Sequence, residues 1–140
     1  MKKVMTTIIG ILVATLSVLA TNGGNKLTVV IKNVGSTDGI ISATLFDAEA
    51  NWLKKGEVKK VTIDNKEVVV IEFENLPNGS YAVSVIHDKN SNGDLDANFV
   101  GMPTEPYGFS NNARGMFGPA SFDESKFSVS DDKTIEIKVE

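Results

Sequence analysis

From Leu27 onward, apolar and polar residues alternate along most of the chain. Leu27, Val29 and Ile31 alternate with Thr28 and Lys32, and Ile41, Ala43 and Leu45 with Ser42 and Thr44. The same rhythm recurs at Val61 and Ile63, at Val69, Ile71 and Phe73, and at Tyr81, Val83 and Val85. It returns at Phe127 and Val129 and at Ile135, Ile137 and Val139. Successive side chains of a strand point to opposite faces, so period two predicts strands buried on one side. Turn residues separate the runs at Gly35-Ser36-Thr37-Asp38-Gly39, Asp64-Asn65, Leu76-Pro77-Asn78-Gly79 and Asp131-Asp132-Lys133. The expected fold class is all-β, a mostly antiparallel sandwich of about seven strands.

Two segments interrupt the pattern. Ala48 to Lys55 carries Trp52 and Leu53 and predicts a single helical turn closing one end of the sandwich. Asp88 to Glu124 is far longer than the usual connection in a compact domain, and long loops of this kind are commonly functional. It contains Phe99, Tyr107, Phe109, Phe117 and Phe122. Rings of that number can bury surface, so the segment is expected to be an ordered loop packed over one end of the sandwich.

The N-terminus changes the setting. Met1-Lys2-Lys3 precedes an uncharged apolar run from Ile8 to Ala20, with small residues at the cleavage point. That pattern reads as a secretory signal peptide over 1–20, followed by a linker at 21–25 and a β domain at 26–140. A membrane anchor is the alternative, but the run falls short of the roughly 20 residues a span needs. The expected location is periplasmic or secreted, with no integral membrane segment after cleavage. Without Lys2 and Lys3, 12 basic residues stand against 18 acidic ones. An acidic exported domain argues against nucleic acid as a partner, because phosphate contacts need basic side chains. The chain has no cysteine, which excludes disulfides, thiolate metal sites and cysteine nucleophiles.

The strongest chemical motif is Asp88-Lys89-Asn90-Ser91-Asn92-Gly93-Asp94-Leu95-Asp96. Counted from Asp88, oxygen-bearing side chains occupy positions one, three, five and nine, with glycine at six and leucine at eight. This is the first part of an EF-hand-type calcium loop. Ca²⁺ takes six to eight oxygens, so alternate residues must turn inward, and position seven, here Asp94, offers its carbonyl. Phe99 stands where the bidentate glutamate of position twelve would be. Asp96 is suited to ligate directly, and Glu105 is near enough in sequence to fold back as the missing carboxylate. The expected ligands are therefore Asp88, Asn90, Asn92, Asp94, Asp96 and Glu105, with Ca²⁺ as the cofactor. Mg²⁺ fits less well, since it tends to keep its waters.

A second candidate is Tyr107, Phe109, Asn111, Asn112 and Arg114, a segment that mixes aromatic rings with amide side chains. Rings stack on sugars and amides bond their hydroxyls, so an envelope glycan or protein is the expected partner. The competing reading makes the rings anchors for the loop and the asparagines caps for its turns. Arg114 is expected to pair with Glu105 or Asp123, or to hold an anion. His87 is the only histidine, which excludes multi-histidine metal sites within one chain. A hydrolase would need it beside a serine such as Ser110 or Ser121. A carrier of a small apolar ligand would need an open cavity between the sheets.

The hairpin Leu76-Pro77-Asn78-Gly79-Ser80-Tyr81-Ala82-Val83-Ser84-Val85 resembles that of prealbumin-like and carboxypeptidase-regulatory-like sandwiches. The run from His87 to Asp96, through Gly108-Phe109-Ser110-Asn111-Asn112-Ala113, resembles a family of exported bacterial proteins known only as a domain of unknown function. The resemblance implies an antiparallel Greek-key, immunoglobulin-like fold and an envelope location. It implies no activity. The combined expectation is an exported, calcium-loop-bearing binding or structural module.

Overall fold

The computed structural model describes residues 23–140. The apolar run of 8–20, its cleavage point and the start of the linker lie outside the described residues. Eight strands follow: β1 Asn25–Lys32, β2 Ile40–Phe46, β3 Glu57–Thr62, β4 Val68–Leu76, β5 Gly79–Asp88, β6 Tyr107–Phe109, β7 Phe127–Val129 and β8 Lys133–Lys138. Seven match the alternating runs. The eighth, β6, lies inside the long segment and is too short to show a period.

The first sheet has the order β4-β1-β8, with β1 antiparallel to β4 and parallel to β8. The second runs β3-β2-β5, and β6 and β7 share the remaining edge of β5. β6 pairs with Ser84 to Ile86, and β7 with Gly79 to Tyr81. Between them, on that edge, Ala82 and Val83 have no strand partner, although β2 pairs with both on the other side. The Val83 N–H instead donates to Ser110 Oγ at 2.9 Å, and that hydroxyl lies 2.5 Å from the Ser125 carbonyl. A fully buried serine thus satisfies the rung that the ladder leaves open, as a buried donor requires.

Both sheets supply the core. Leu27, Val29, Ile31, Val69, Ile71, Phe73 and Ile137 from the first meet Ile41, Ala43, Leu45, Val83 and Val85 from the second. Alternation holds cleanly in β1 and β4, whose outward residues are exposed or half-exposed.

β5 departs from that rule, because Tyr81 through Val85 are all buried. Its outer face is covered by the long segment, which therefore packs over a face rather than an end. Trp52, just after the 3₁₀ turn Glu49–Asn51, is the hub of that cover. Its ring lies 4.9 Å from Phe46, 5.6 Å from Phe109 and 5.9 Å from Phe122, and its Nε1–H donates to the Ala120 carbonyl. The helix α1 (Phe122–Ser125) ends the segment with a reciprocal capping box between Ser121 and Glu124. Of the five rings expected to anchor the loop, Phe109 and Phe122 are buried and Tyr107 half-buried. Phe99 and Phe117 are fully exposed.

Candidate functional site

The site begins where β5 ends. His87 and Asp88 are both buried at the last rungs of the β2–β5 ladder. His87 shares strand parity with Val83 and Val85, so its ring turns into the sandwich. Its Nε2 lies 2.7 Å from the Asp38 carbonyl, which can only accept, so Nε2 carries the hydrogen. Nδ1 has no hydrogen-bond partner among the described residues. Gly39 follows with a φ of 70°, and a Cβ there would collide with the Asp88 carbonyl. The turn before β2 thus grips the base of the 88–96 loop.

Asp88 organises that loop from inside. Its Oδ1 accepts the Asn92 N–H at 3.2 Å and its Oδ2 the Gly93 N–H at 2.8 Å. Gly93 has a φ of 90°, a conformation that favours glycine and makes the reversal possible. Asn90 and Asn92 both turn toward Asp96, with Nδ2 to carboxylate distances of 2.5 and 2.7 Å. Their Oδ1 atoms accept the N–H groups two residues on, those of Asn92 and Asp94. The side chains at positions three, five and nine therefore meet. Asp94 is exposed, and no side-chain hydrogen bond ties it to the cluster.

Glu105 is brought to this loop from 16 residues beyond Lys89. Its Oε1 accepts the Lys89 N–H at 2.9 Å and its Oε2 the Asp96 N–H at 3.1 Å. One buried carboxylate thus clasps both ends of the loop. The chain reaches it through a small hairpin, in which Ala97 bridges Pro103 and Asn98 Oδ1 takes two N–H groups. Among the described residues, no three His, Asp or Glu side chains gather around one point suited to a metal ion. A cation here would draw part of its shell from Asn side chains and main-chain carbonyls.

The ring-and-amide segment separates into two groups. Phe109 is buried against Trp52, and Asn111 donates its amide to the Glu124 and Lys126 carbonyls. Asn112 Oδ1 accepts the Lys138 N–H at 2.9 Å. These three do structural work. Tyr107 and Arg114 line a cleft of about 340 Å³ with Asn112, Lys138 and Glu140. Arg114 pairs with Glu140, rather than with the expected Glu105 or Asp123. Asp123 is instead taken by Lys126, whose ammonium is held above its ordinary value by that hydrogen bond.

His87 does not meet a serine. Ser110 bonds to Val83 and Ser125 at the edge of β5, and Ser121 is committed to its capping box. Sequence reasoning missed the positioning roles of Ser110, Asp38 and Gly39. Asp38 and Gly39 carried a signal only as part of a turn cluster.

A family model described as an uncharacterized protein conserved in bacteria, DUF2141, matches residues 29–138. The chain belongs to this family. The DUF2141 span takes in strands of both sheets, the 88–96 loop, Glu105 and the ring-and-amide segment. No curated protein and no solved structure matches the chain.

Proposed function

We propose that this chain is an exported β-sandwich whose 88–96 loop binds Ca²⁺, serving as a binding or structural module of the cell envelope. One observation carries the reading: buried Asp88 shapes the loop while Asn90, Asn92 and Asp96 converge at its mouth. An asparagine amide presents nitrogen or oxygen according to its rotation about χ2. Turning both amides over would replace the two N–H donors facing Asp96 with two oxygens, the hard donors that Ca²⁺ takes, in exchange for the hydrogen bonds their Oδ1 atoms accept from the Asn92 and Asp94 N–H groups. Asp94 adds a carboxylate or its carbonyl, and Glu105 supplies negative charge at the base. Repulsion among these acids favours a divalent cation.

Membership of the Greek-key, immunoglobulin-like class is part of the same proposal. It is supported by the Tyr81 hydroxyl, which donates to the Pro77 carbonyl four residues upstream at 2.8 Å. A tyrosine placed this way at a strand corner is a hallmark of immunoglobulin-like sandwiches. Export rests on the basic start and apolar run, and mass spectrometry of envelope-fraction protein is expected to find an N-terminus near Thr21. Calorimetric titration of the purified protein tests the loop. Calcium is expected to bind with a Kd of about 10⁻⁴ to 10⁻³ M, as extracellular modules do. Asp96→Asn is expected to abolish the signal. A titration without heat for the wild type would remove calcium from the account.

A further inference from the structure

The outer face of the second sheet carries a feature that the calcium reading does not use. Ser84 stands opposite Phe109 and Ile86 opposite Tyr107 in the β5–β6 ladder. Opposite residues share a face, and Val83 and Val85 turn into the core, so these four side chains form one outward floor. Over it the long segment leaves a groove of about 710 Å³. Leu95, Val100 and Met102 line the groove from one stretch of that segment, and Met116 and Phe117 from another.

The lining dictates what can enter. Among the described residues that form it, none is Asp, Glu, Lys, Arg or His. Arg114, next to Gly115 of the lining, is paired with Glu140, and the residues flanking Leu95 are both acids, Asp94 and Asp96. An anion would therefore lose its hydration and gain no counter-charge from these walls. An extended peptide is equally ill suited, because its main chain needs hydrogen-bond partners. Ser84, Val85 and Ile86 are already paired with β2 on one side and with β6 on the other. The far edge of β6 at Tyr107 is taken by Glu140. A flat bilayer would rest on the tips and leave the floor unfilled.

A small apolar molecule meets all of these constraints. The volume falls within the range of about 300–1,000 Å³ typical of small-molecule sites. Met102 and Met116 are unbranched and polarizable, so they can settle against occupants of different outline. The Ser84 and Tyr107 hydroxyls remain as polar groups on the floor. We infer that this groove binds an uncharged, mostly hydrocarbon small molecule, with hydrogen bonding confined to those two hydroxyls. The site does not depend on an ion in the 88–96 loop.

Fluorescence titration of the purified protein in chelator tests this, with two probes of related ring structure. One is neutral N-phenyl-1-naphthylamine and the other its anionic relative, anilinonaphthalene sulfonate. The neutral probe is expected to bind saturably and at least roughly tenfold tighter than the sulfonate, whose charge finds no partner. Ile86→Glu puts a carboxylate on the floor and is expected to weaken the neutral probe by at least roughly tenfold. Met102→Glu and Met116→Glu alter side chains that are 61% and 89% exposed, so both keep the wild-type melting curve. Each is expected to weaken the neutral probe roughly threefold. Val70→Glu, at a residue 52% exposed on the outer face of the first sheet, is expected to leave binding unchanged.

Absence of saturable binding by the neutral probe overturns the inference, as does sulfonate binding of equal or greater strength. Equal binding by the wild type and both methionine variants overturns it too, and so does an equal loss in Val70→Glu. A dimer in sedimentation velocity that Met116→Glu dissociates, with no probe taken up by either form, would give the face to a second copy instead. Calcium binding is read separately, by titration without probe, so either idea can fail alone.

Discussion

The two sheets have similar inner faces and very different outer ones. Outside the first sheet lie Thr28, Val30, Val70, Glu72 and Glu136, with exposed ion pairs joining Lys26 to Glu72 and Lys32 to Glu136. Such pairs contribute little, about 0–1 kcal/mol each. Outside the second sheet, Ala82 is buried beneath a second, aromatic layer built on Trp52, and Ser84 lies on the floor of the apolar groove. The apolar groove is on that side, whereas the 88–96 loop follows the last rung of β5 and the cleft at Arg114 lies at the seam where Lys138 and Glu140 meet the segment after β6. The first sheet turns a solvated face outward, and the second carries the segment that holds Glu105 and the ring-and-amide residues.

Two substitutions should separate those roles. Phe73→Ala opens a cavity in the shared core and is expected to cost about 3–5 kcal/mol, lowering the midpoint of denaturant unfolding of the whole domain. Trp52→Ala strips the hub of the outer layer, for which roughly 2–3 kcal/mol is expected because Trp52 is only partly buried. Hydrogen exchange should then quicken across 107–125 while β1 and β4 stay protected. Uniform exchange in both variants would mean that the cover and the sandwich are one cooperative unit.

The contrast also explains what could be read from the chain. β1 and β4 alternate because water lies on one side of them, and hydropathy alone marks such strands. β5 was legible only in its inward residues, Tyr81, Val83 and Val85. Its outward residues Ala82 and Ser84 are small, and nothing local says that a distant loop buries them. The loop motif at Asp88 was readable because its spacing is dictated by short-range geometry. Glu105 lies against the loop through the Lys89 and Asp96 N–H groups, partners that depend on the tertiary path of 97–103 and that no spacing rule supplies. Phe99 and Phe117 show the limit of composition, since a ring's presence does not say whether it is buried.

Glu105 offers a finer cut. Since both of its oxygens accept main-chain N–H groups, Glu105→Gln places an amide donor against one of them. The expected loss is about 1–3 kcal/mol even with chelator present. It should appear in the melting curve and as faster exchange at Lys89 and Asp96. Unchanged apo stability would return Glu105 to a role toward the ion alone.

The smallest effect belongs to the α1 capping box. Ser121→Ala is expected to cost about 1 kcal/mol. The Ser121 main-chain N–H, and secondly its hydroxyl, hold Glu124 below the ordinary carboxylate value. A carboxylate lowered in the folded state stabilises fully above its unfolded value and loses that contribution as pH falls through the folded one. The difference between wild type and Glu124→Gln should therefore be present near neutrality and be lost as pH falls below the ordinary glutamate value and through the lowered folded one.

Thermal melting with calcium, with magnesium and with chelator tests the central claim most directly, for the wild type and Asp96→Asn. At about 10 mM calcium, some ten- to hundredfold above the expected Kd, binding to the folded state alone adds roughly 1.4–2.7 kcal/mol. For a domain of this size that gain raises the Tm by several degrees. The account predicts a calcium-specific rise in the wild type, little response to magnesium, and no rise in Asp96→Asn. Superimposable wild-type melts in calcium and in chelator would contradict it and leave the 88–96 loop as a hydrogen-bonded turn.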